Sequence, residues 1–269
     1  MPGLSLCPPR PNPPRSPSPV PPLPVNLSPG SDPVPEDPAL HHLALDLSQT
    51  MAAVHRRGWC DGTGGNFSCV AQRDPLLLMM APSGVDKGSV VPEALILVDG
   101  AAAVVRGEGK ASAETLLHLA IVEGTGAGAV LHTHSQAATL LSRWRDPERS
   151  QEPAEADNPT GAVAHLELEG LEMLKGLAGI TTHQAAVRVP VLSNDQDLAR
   201  LSSHAGPHLA DAPYGLLVAG HGLYAWGRDL VEARRHLEIL EFLLEQRWRQ
   251  LILEGLSGKV SEGRSGPWS

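Results

Sequence analysis

The chain has 269 residues, 42% of them hydrophobic and 3% aromatic, with a formal net charge of -9. That is enough apolar material for one fairly large domain, with alanine, leucine and valine doing most of the packing. The acidic balance argues against nucleic acid as a partner, and no apolar run approaches the roughly 18 residues of a membrane span.

Residues 1–37 are dominated by proline, serine, asparagine and glycine. Such a stretch buries too little apolar surface to offset its ordering entropy, so a disordered tail is expected, with a polyproline-II ligand as the alternative. Gly3-Leu4-Ser5-Leu6-Cys7 is too short for a signal-peptide core. Cys7, Cys60 and Cys69 show no metal or redox spacing. Free thiols in a cytoplasmic protein are therefore expected.

The domain is expected to span residues 38–255, with a flexible tail over 256–269. Asp37-Pro38 reads as a helix start, and Leu40, Leu43, Leu47, Met51 and Val54 recur at helical spacing up to Gly58. The stretch from Gly58 to Ser68 is too rich in glycine for regular structure. Gly64-Gly65-Asn66 either presents backbone amides to a phosphate or is simply a hairpin turn. Leu76–Met80 reads as a strand closed by Ala81-Pro82-Ser83-Gly84, a turn offering a hydroxyl and amides. Ala94–Val98 and Ala101–Val105 read as strands joined at Asp99-Gly100.

Ser112 is expected to cap a helix that ends at Gly124, with Glu114 complementing its N-terminus. A short buried strand then leads into His132-Thr133-His134-Ser135, and Ser135 caps a helix to Trp144. Arg145–Pro159 reads as a surface insertion. Val163–Leu168 is expected as a strand, Glu169–Leu177 as a helix, and Ala186–Leu192 as an edge strand because of Pro190. Asn194-Asp195 caps a helix to about Ala210, Tyr214–Ala219 is a strand that delivers His221, and Asp229–Leu253 is a long amphipathic helix. A central sheet with helices on its faces follows from this order.

Residues two apart on a strand share a face, so His132 and His134 project side by side and can grip a divalent ion. A bare His-x-His is also compatible with ordinary core or surface histidines. His221, between two glycines at the end of another apolar strand, is the candidate third ligand. Glu172 and Lys175 lie three apart and form either an exposed ion pair or part of a site.

The segments Gly62-Thr63-Gly64-Gly65-Asn66-Phe67-Ser68, Ala81-Pro82-Ser83-Gly84, Ser112-Ala113-Glu114-Thr115, His132-Thr133-His134-Ser135, Leu171-Glu172-Met173-Leu174-Lys175-Gly176 and Ala219–Gly227 occur in this order. Together they resemble the class II aldolase/adducin-like family over about residues 38–254. Glu-Met-Leu-Lys-Gly and Gly-Leu-Tyr-Ala-Trp-Gly point to a dehydratase branch within it. The resemblance implies a three-layer α/β/α fold with a mostly antiparallel central sheet, assembled as a homotetramer with its site near a subunit interface. It implies one Zn²⁺ per subunit on His132, His134 and His221, and Glu172 as general acid/base. Gly64, Gly65, Asn66, Ser83 and Gly84 would face a phosphorylated ketose substrate. Under the competing aldolase or epimerase reading, Glu114 matches the catalytic carboxylate, although it can equally cap its helix. An adducin-like binding module without catalysis is the third reading, and its expected lack of the metal triad counts against it here.

Overall fold

The structure is a computed structural model that describes residues 38–146 and 163–262, with side chains described as far as residue 256. The expected N-terminal tail, nearly all of the 145–159 insertion and the end of the C-terminal tail lie outside the described residues. Nine strands form one sheet in the order β4-β3-β2-β1-β5-β9-β8-β7-β6. All neighbours pair antiparallel except β7 and β8.

Chain order explains the layers. Helix α1 (Pro38–His55) buries Leu47, Met51 and Val54, as its spacing predicts, and the chain leaves it through Gly58 at φ +70°. Strands β1 (Asn66–Arg73), β2 (Leu76–Met80), β3 (Ile96–Asp99) and β4 (Val104–Arg106) follow as a meander. Helix α2 (Thr115–Thr125) ends on Gly126 at φ +71° and feeds β5 (Ala129–Thr133). Helix α3 (Gln136–Trp144) starts where the Ser135 side chain accepts a hydrogen bond from the Ala138 amide.

Strands β6 (Val163–Glu169) and β7 (Ala186–Leu192), helix α4 (Leu198–Ala205) and strands β8 (Gly215–Val218) and β9 (Gly222–Gly227) complete the sheet side. Helix α5 (Leu230–Glu262) closes the chain.

Alternation along the strands splits the interior in two. Leu131, Met79 and Ala225 join the core under α1, α3 and α5, while their neighbours Val130, Met80 and Tyr224 join the core under α2 and α4. Each fully buried leucine of these clusters contributes roughly 1.5–3 kcal/mol. The expected three-layer α/β/α arrangement is the observed one.

Several local expectations differ. β1 and β9, the two strands that sandwich β5, are not among the elements expected from sequence, because Ser68, Asn66 and flanking glycines mask their pattern. Pro190 sits in β7, between β6 and β8, so the edge strand is β6. Its missing N–H is tolerated because the parallel ladder to β8 begins only at Val191. The expected helix over Glu169–Leu177 shrinks to a 3-10 turn at Glu172–Gly176, preceded by Gly170 at φ +69°. Asp197, rather than Asn194-Asp195, caps α4 by accepting from the Ala199 and Arg200 amides. The residue flanking α2 is Glu114, with Ser112 Oγ accepting from its amide at 3.3 Å. Finally, α5 continues past Gly255 to Glu262.

Candidate metal centre and active site

The site is built at the C-terminal end of β5, where three strands and two glycine-rich turns meet. Register sets His132 between Asn66 of β1 and Tyr224 of β9. The Tyr224 ring stacks on the His132 ring at 3.8 Å between centroids and 13° between planes. His132 Nδ1 lies 2.9 Å from the Leu223 carbonyl oxygen, which fixes the proton on Nδ1 and leaves Nε2 a lone pair.

His134 is one residue beyond the strand, and its amide donates to Trp59 O at 2.7 Å. Gly64 lies against its ring, since a Cβ there would stand 2.9 Å from His134 Nδ1. Gly65, at φ +74°, approaches the His132 carbonyl just as closely. His221 occupies the tight turn between β8 and β9, with its own amide donating to Val218 O at 3.0 Å.

These supports converge three Nε2 atoms. That of His132 is 2.8 Å from His134 Nε2 and 3.3 Å from His221 Nε2. Glu114 joins from the turn before α2, with Oε1 2.9 Å from His221 Nε2 and Oε2 3.7 Å from His132 Nε2. The Asn66 side-chain amide donates to Glu114 Oε2.

The electrostatics match this packing. Burial alone would raise the Glu114 carboxyl, but the His221 hydrogen bond and the nearby imidazoles outweigh it and hold it at about 2. Burial pushes His132 well below the ordinary imidazole range, with Glu114 opposing and the two other histidines reinforcing. Burial also lowers His134. Three imidazole nitrogens and a carboxylate oxygen thus converge on one point, an arrangement that a cation among them would hold together. One ligand atom from each of the four residues lies within 4.8 Å of the others, and His221 Nδ1 is buried with no hydrogen-bond partner among the described residues. This donor set fits a divalent metal ion.

A cleft of about 490 Å³ opens beside the cluster, lined in part by Glu114, His134, Gln136, Asn194, Gln196 and His221. Of the expected phosphate-facing residues, Gly64, Gly65 and Asn66 pack around the histidines and Glu114. The Ser83 amide donates to Lys110 O at 2.8 Å, and Gly84, at φ +77°, has open space beside its Cα. Lys87 ties these two loops together: its Nζ donates to Thr63 O at 3.0 Å and Val85 O at 2.9 Å, and the residue is 1% exposed. Burial lowers its pKa, against the pull of Cys60 and Glu114. Lys87 is not among the residues expected at the site, because nothing in Val85-Asp86-Lys87-Gly88 marks that lysine as buried.

Glu172 is elsewhere. Its side chain is 68% exposed on the 3-10 turn and pairs with Lys175, with His183 Nδ1 at 3.9 Å. It does not line the cleft of its own chain.

Residues 46–248 match the family described as Class II Aldolase and Adducin N-terminal domain. Over 214 residues the chain is 42% identical to the methylthioribulose-1-phosphate dehydratase of Serratia proteamaculans (strain 568), covering 77% of this chain and 96% of that protein. The enzyme of that name from Methylococcus capsulatus is 40% identical over 209 residues, covering 77% of this chain and 93% of the relative. Among solved structures, an L-fuculose 1-phosphate aldolase aligns with a TM-score of 0.61 at 22% identity, covering 79% of this chain and 87% of the other. The L-fuculose-1-phosphate aldolase of Thermus thermophilus gives 0.58 at 23% identity, covering 81% and 97%. At that identity the two aldolases speak to the fold alone. The matched span and the 42% identity over most of its length show that the chain belongs to the class II aldolase and adducin family, in the branch of the methylthioribulose-1-phosphate dehydratases.

Proposed function

We propose that this chain is a lyase that dehydrates 5-methylthioribulose 1-phosphate to 2,3-diketo-5-methylthiopentyl 1-phosphate, a step of methionine salvage in the cytoplasm. The observation that carries the reading is the convergence of three imidazole nitrogens beside Glu114, in a chain 42% identical to a protein named for that activity. Zinc is the proposed ion, one per subunit on His132, His134 and His221, because three imidazoles with an open position are a catalytic zinc donor set. When bound, it supplies Lewis acidity toward the substrate carbonyl.

The reaction removes the C3 proton, expels the C4 hydroxyl as water and lets the resulting enol become a ketone. Glu114 is held ionised beside the histidines by its neighbours and is the second carboxylate of the scheme, acting on the electrostatics around them. Glu172 is proposed as the general acid/base for these proton transfers. In the single chain Lys175 holds Glu172 below the usual carboxylate range. Docking against a neighbouring subunit would strip its water and move it the other way.

A homotetramer with sites at subunit interfaces, as the family resemblance implies, brings an exposed Glu172 to a cleft that its own chain does not give it. Mixing inactive Glu172→Gln with inactive His221→Ala subunits should then restore part of the activity. The substrate phosphate is proposed to sit where Gly64-Gly65-Asn66 and Ser83-Gly84 are drawn together by Lys87. Residues 38–255 are proposed as the catalytic unit, so removing residues 1–36 should leave metal content and turnover unchanged.

Metal-stripped protein should be inert and recover turnover of 5-methylthioribulose 1-phosphate on addition of Zn²⁺. Failure of the zinc-loaded protein to dehydrate this substrate would overturn the reading. One observation favours an aldolase or epimerase instead: Glu114, the carboxylate matching theirs, touches the histidine cluster. Aldol cleavage of a ketose phosphate without dehydration would establish that alternative, and a folded protein that binds no metal would favour the adducin-like module.

A further inference from the structure

Helix α5 carries a carboxyl group that the chemistry above does not use. Glu241 is 2% exposed, deep under the sheet face where Thr133 points away from the histidines. Thr133 Oγ1 donates to Glu241 Oε1 at 2.5 Å, and the Ser135 hydroxyl faces the same carboxyl. Ser135 Oγ meanwhile accepts from the Ala138 amide at 3.1 Å, leaving its own proton free to donate. Thr133 and Ser135 are the residues on either side of His134.

Burying a carboxyl is costly, and burial pushes this one up to about 7. Its Oε2 has no hydrogen-bond partner among the described residues. An apolar side chain of similar volume would cost less at this place. What an apolar side chain cannot do is accept from the two hydroxyls that bracket a histidine.

We infer that Glu241 is a positioning residue for the metal centre: from α5 it holds Thr133 and Ser135, and through them fixes His134 against His132 and His221. The inference rests on the metal reading of the histidine cluster. Outer partners that orient ligands in this way typically change metal affinity 10–100-fold when removed.

The test uses the full chain and Co²⁺ as a spectroscopic probe, with affinity read by chelator competition and the metal environment by the visible spectrum. Glu241→Leu and Thr133→Val should each weaken Co²⁺ binding about 10–100-fold and alter the spectrum. The double variant should lose little more than either single one, because both break the same contact. Glu241→Gln, which keeps an acceptor oxygen for Thr133, should stay within about threefold of the wild type. A purely structural Glu241 would lower the thermal midpoint of Glu241→Leu and leave Co²⁺ affinity and spectrum unchanged. That result overturns the inference, and unchanged Co²⁺ binding in Thr133→Val overturns it equally if Glu241→Leu does not fold. A wild type that binds no Co²⁺ overturns the metal reading as well.

Discussion

The two carboxylates occupy opposite kinds of surroundings. Glu114 has 15% of its side chain exposed and is held by Asn66 and His221, in a centre assembled from β1, β5 and the turn between β8 and β9. Glu172 has 68% of its side chain exposed, on one short turn, with Lys175 as its close partner. The first has all its close partners within one chain. The second faces solvent, with Lys175 and His183 beside it. Under the proposed scheme, the surroundings of each carboxylate set its role, and the two divide the work.

That contrast can be broken most severely at the histidines. His132→Ala, His134→Ala or His221→Ala should each strip the metal and abolish turnover, checked by elemental analysis and assay of the same preparations. Full metal content in all three variants would show that the buried centre is an ordinary core.

Lys87→Met probes the loop side of the same centre. Losing the Nζ contacts to Thr63 O and Val85 O loosens the two loops and should raise KM for the phosphorylated substrate roughly 10-fold. Metal content should stay full. An unchanged KM would show that the loops tied by Lys87 do not shape the phosphate site.

The buried region should also dominate the pH dependence of stability. His118, fully buried on α2 with Nδ1 2.8 Å from Ser68 Oγ, is depressed by burial to about 4. The unfolded chain therefore takes up its proton first, near the ordinary 6.5. Stability is full above that value and falls as the pH drops towards 4, by up to about 3 kcal/mol. Urea unfolding of the metal-free protein across this window should show the slope, and His118→Gln should reduce it by the share of His118, leaving that of His132 and His134. Glu172→Gln should leave it nearly untouched, since an exposed ion pair is well screened. A slope undiminished in His118→Gln would mean that His118 does not titrate in this window.

The smallest effect concerns the entry to α3. Ser135→Ala removes an N-cap and should cost about 1 kcal/mol in chemical unfolding. Lys175→Ala, on the Glu172 turn, should cost less than Ser135→Ala. A reversal would mean that the 3-10 turn is more firmly built than its exposure suggests.

The same contrast governs what is legible in the sequence. Alternation and short range carry the His132-Thr133-His134-Ser135 stretch, including its cap, because each feature depends on neighbours within a few residues. His221 is visible as a histidine trapped between glycines after an apolar run. Lys87 and Glu241 are not, since a charged residue in a strand loop or a long helix reads as solvated and only the tertiary packing buries it. β9 escapes because both its faces are covered, which removes the simple polar–apolar alternation, and β1 because Asn66 and Ser68 are buried polar residues next to glycines. Pro190 misleads for a related reason: which strand lies at the edge depends on long-range order, while proline reports only its own missing N–H. Glu172 is recognisable through its segment's resemblance to a family motif, whereas its exposure follows from the fold.

The division of labour between the carboxylates is tested most directly by comparing Glu172→Gln with Glu114→Gln, each assayed for metal content, thermal midpoint and turnover of 5-methylthioribulose 1-phosphate. Glu172→Gln should stay folded and metal-loaded while losing on the order of 10²–10⁴ in kcat. Glu114→Gln should show the smaller loss of turnover, through the electrostatics around the histidines. Near-normal turnover in Glu172→Gln, with Glu114→Gln inert yet still metal-loaded, would contradict the scheme and give the proton transfers to the buried carboxylate.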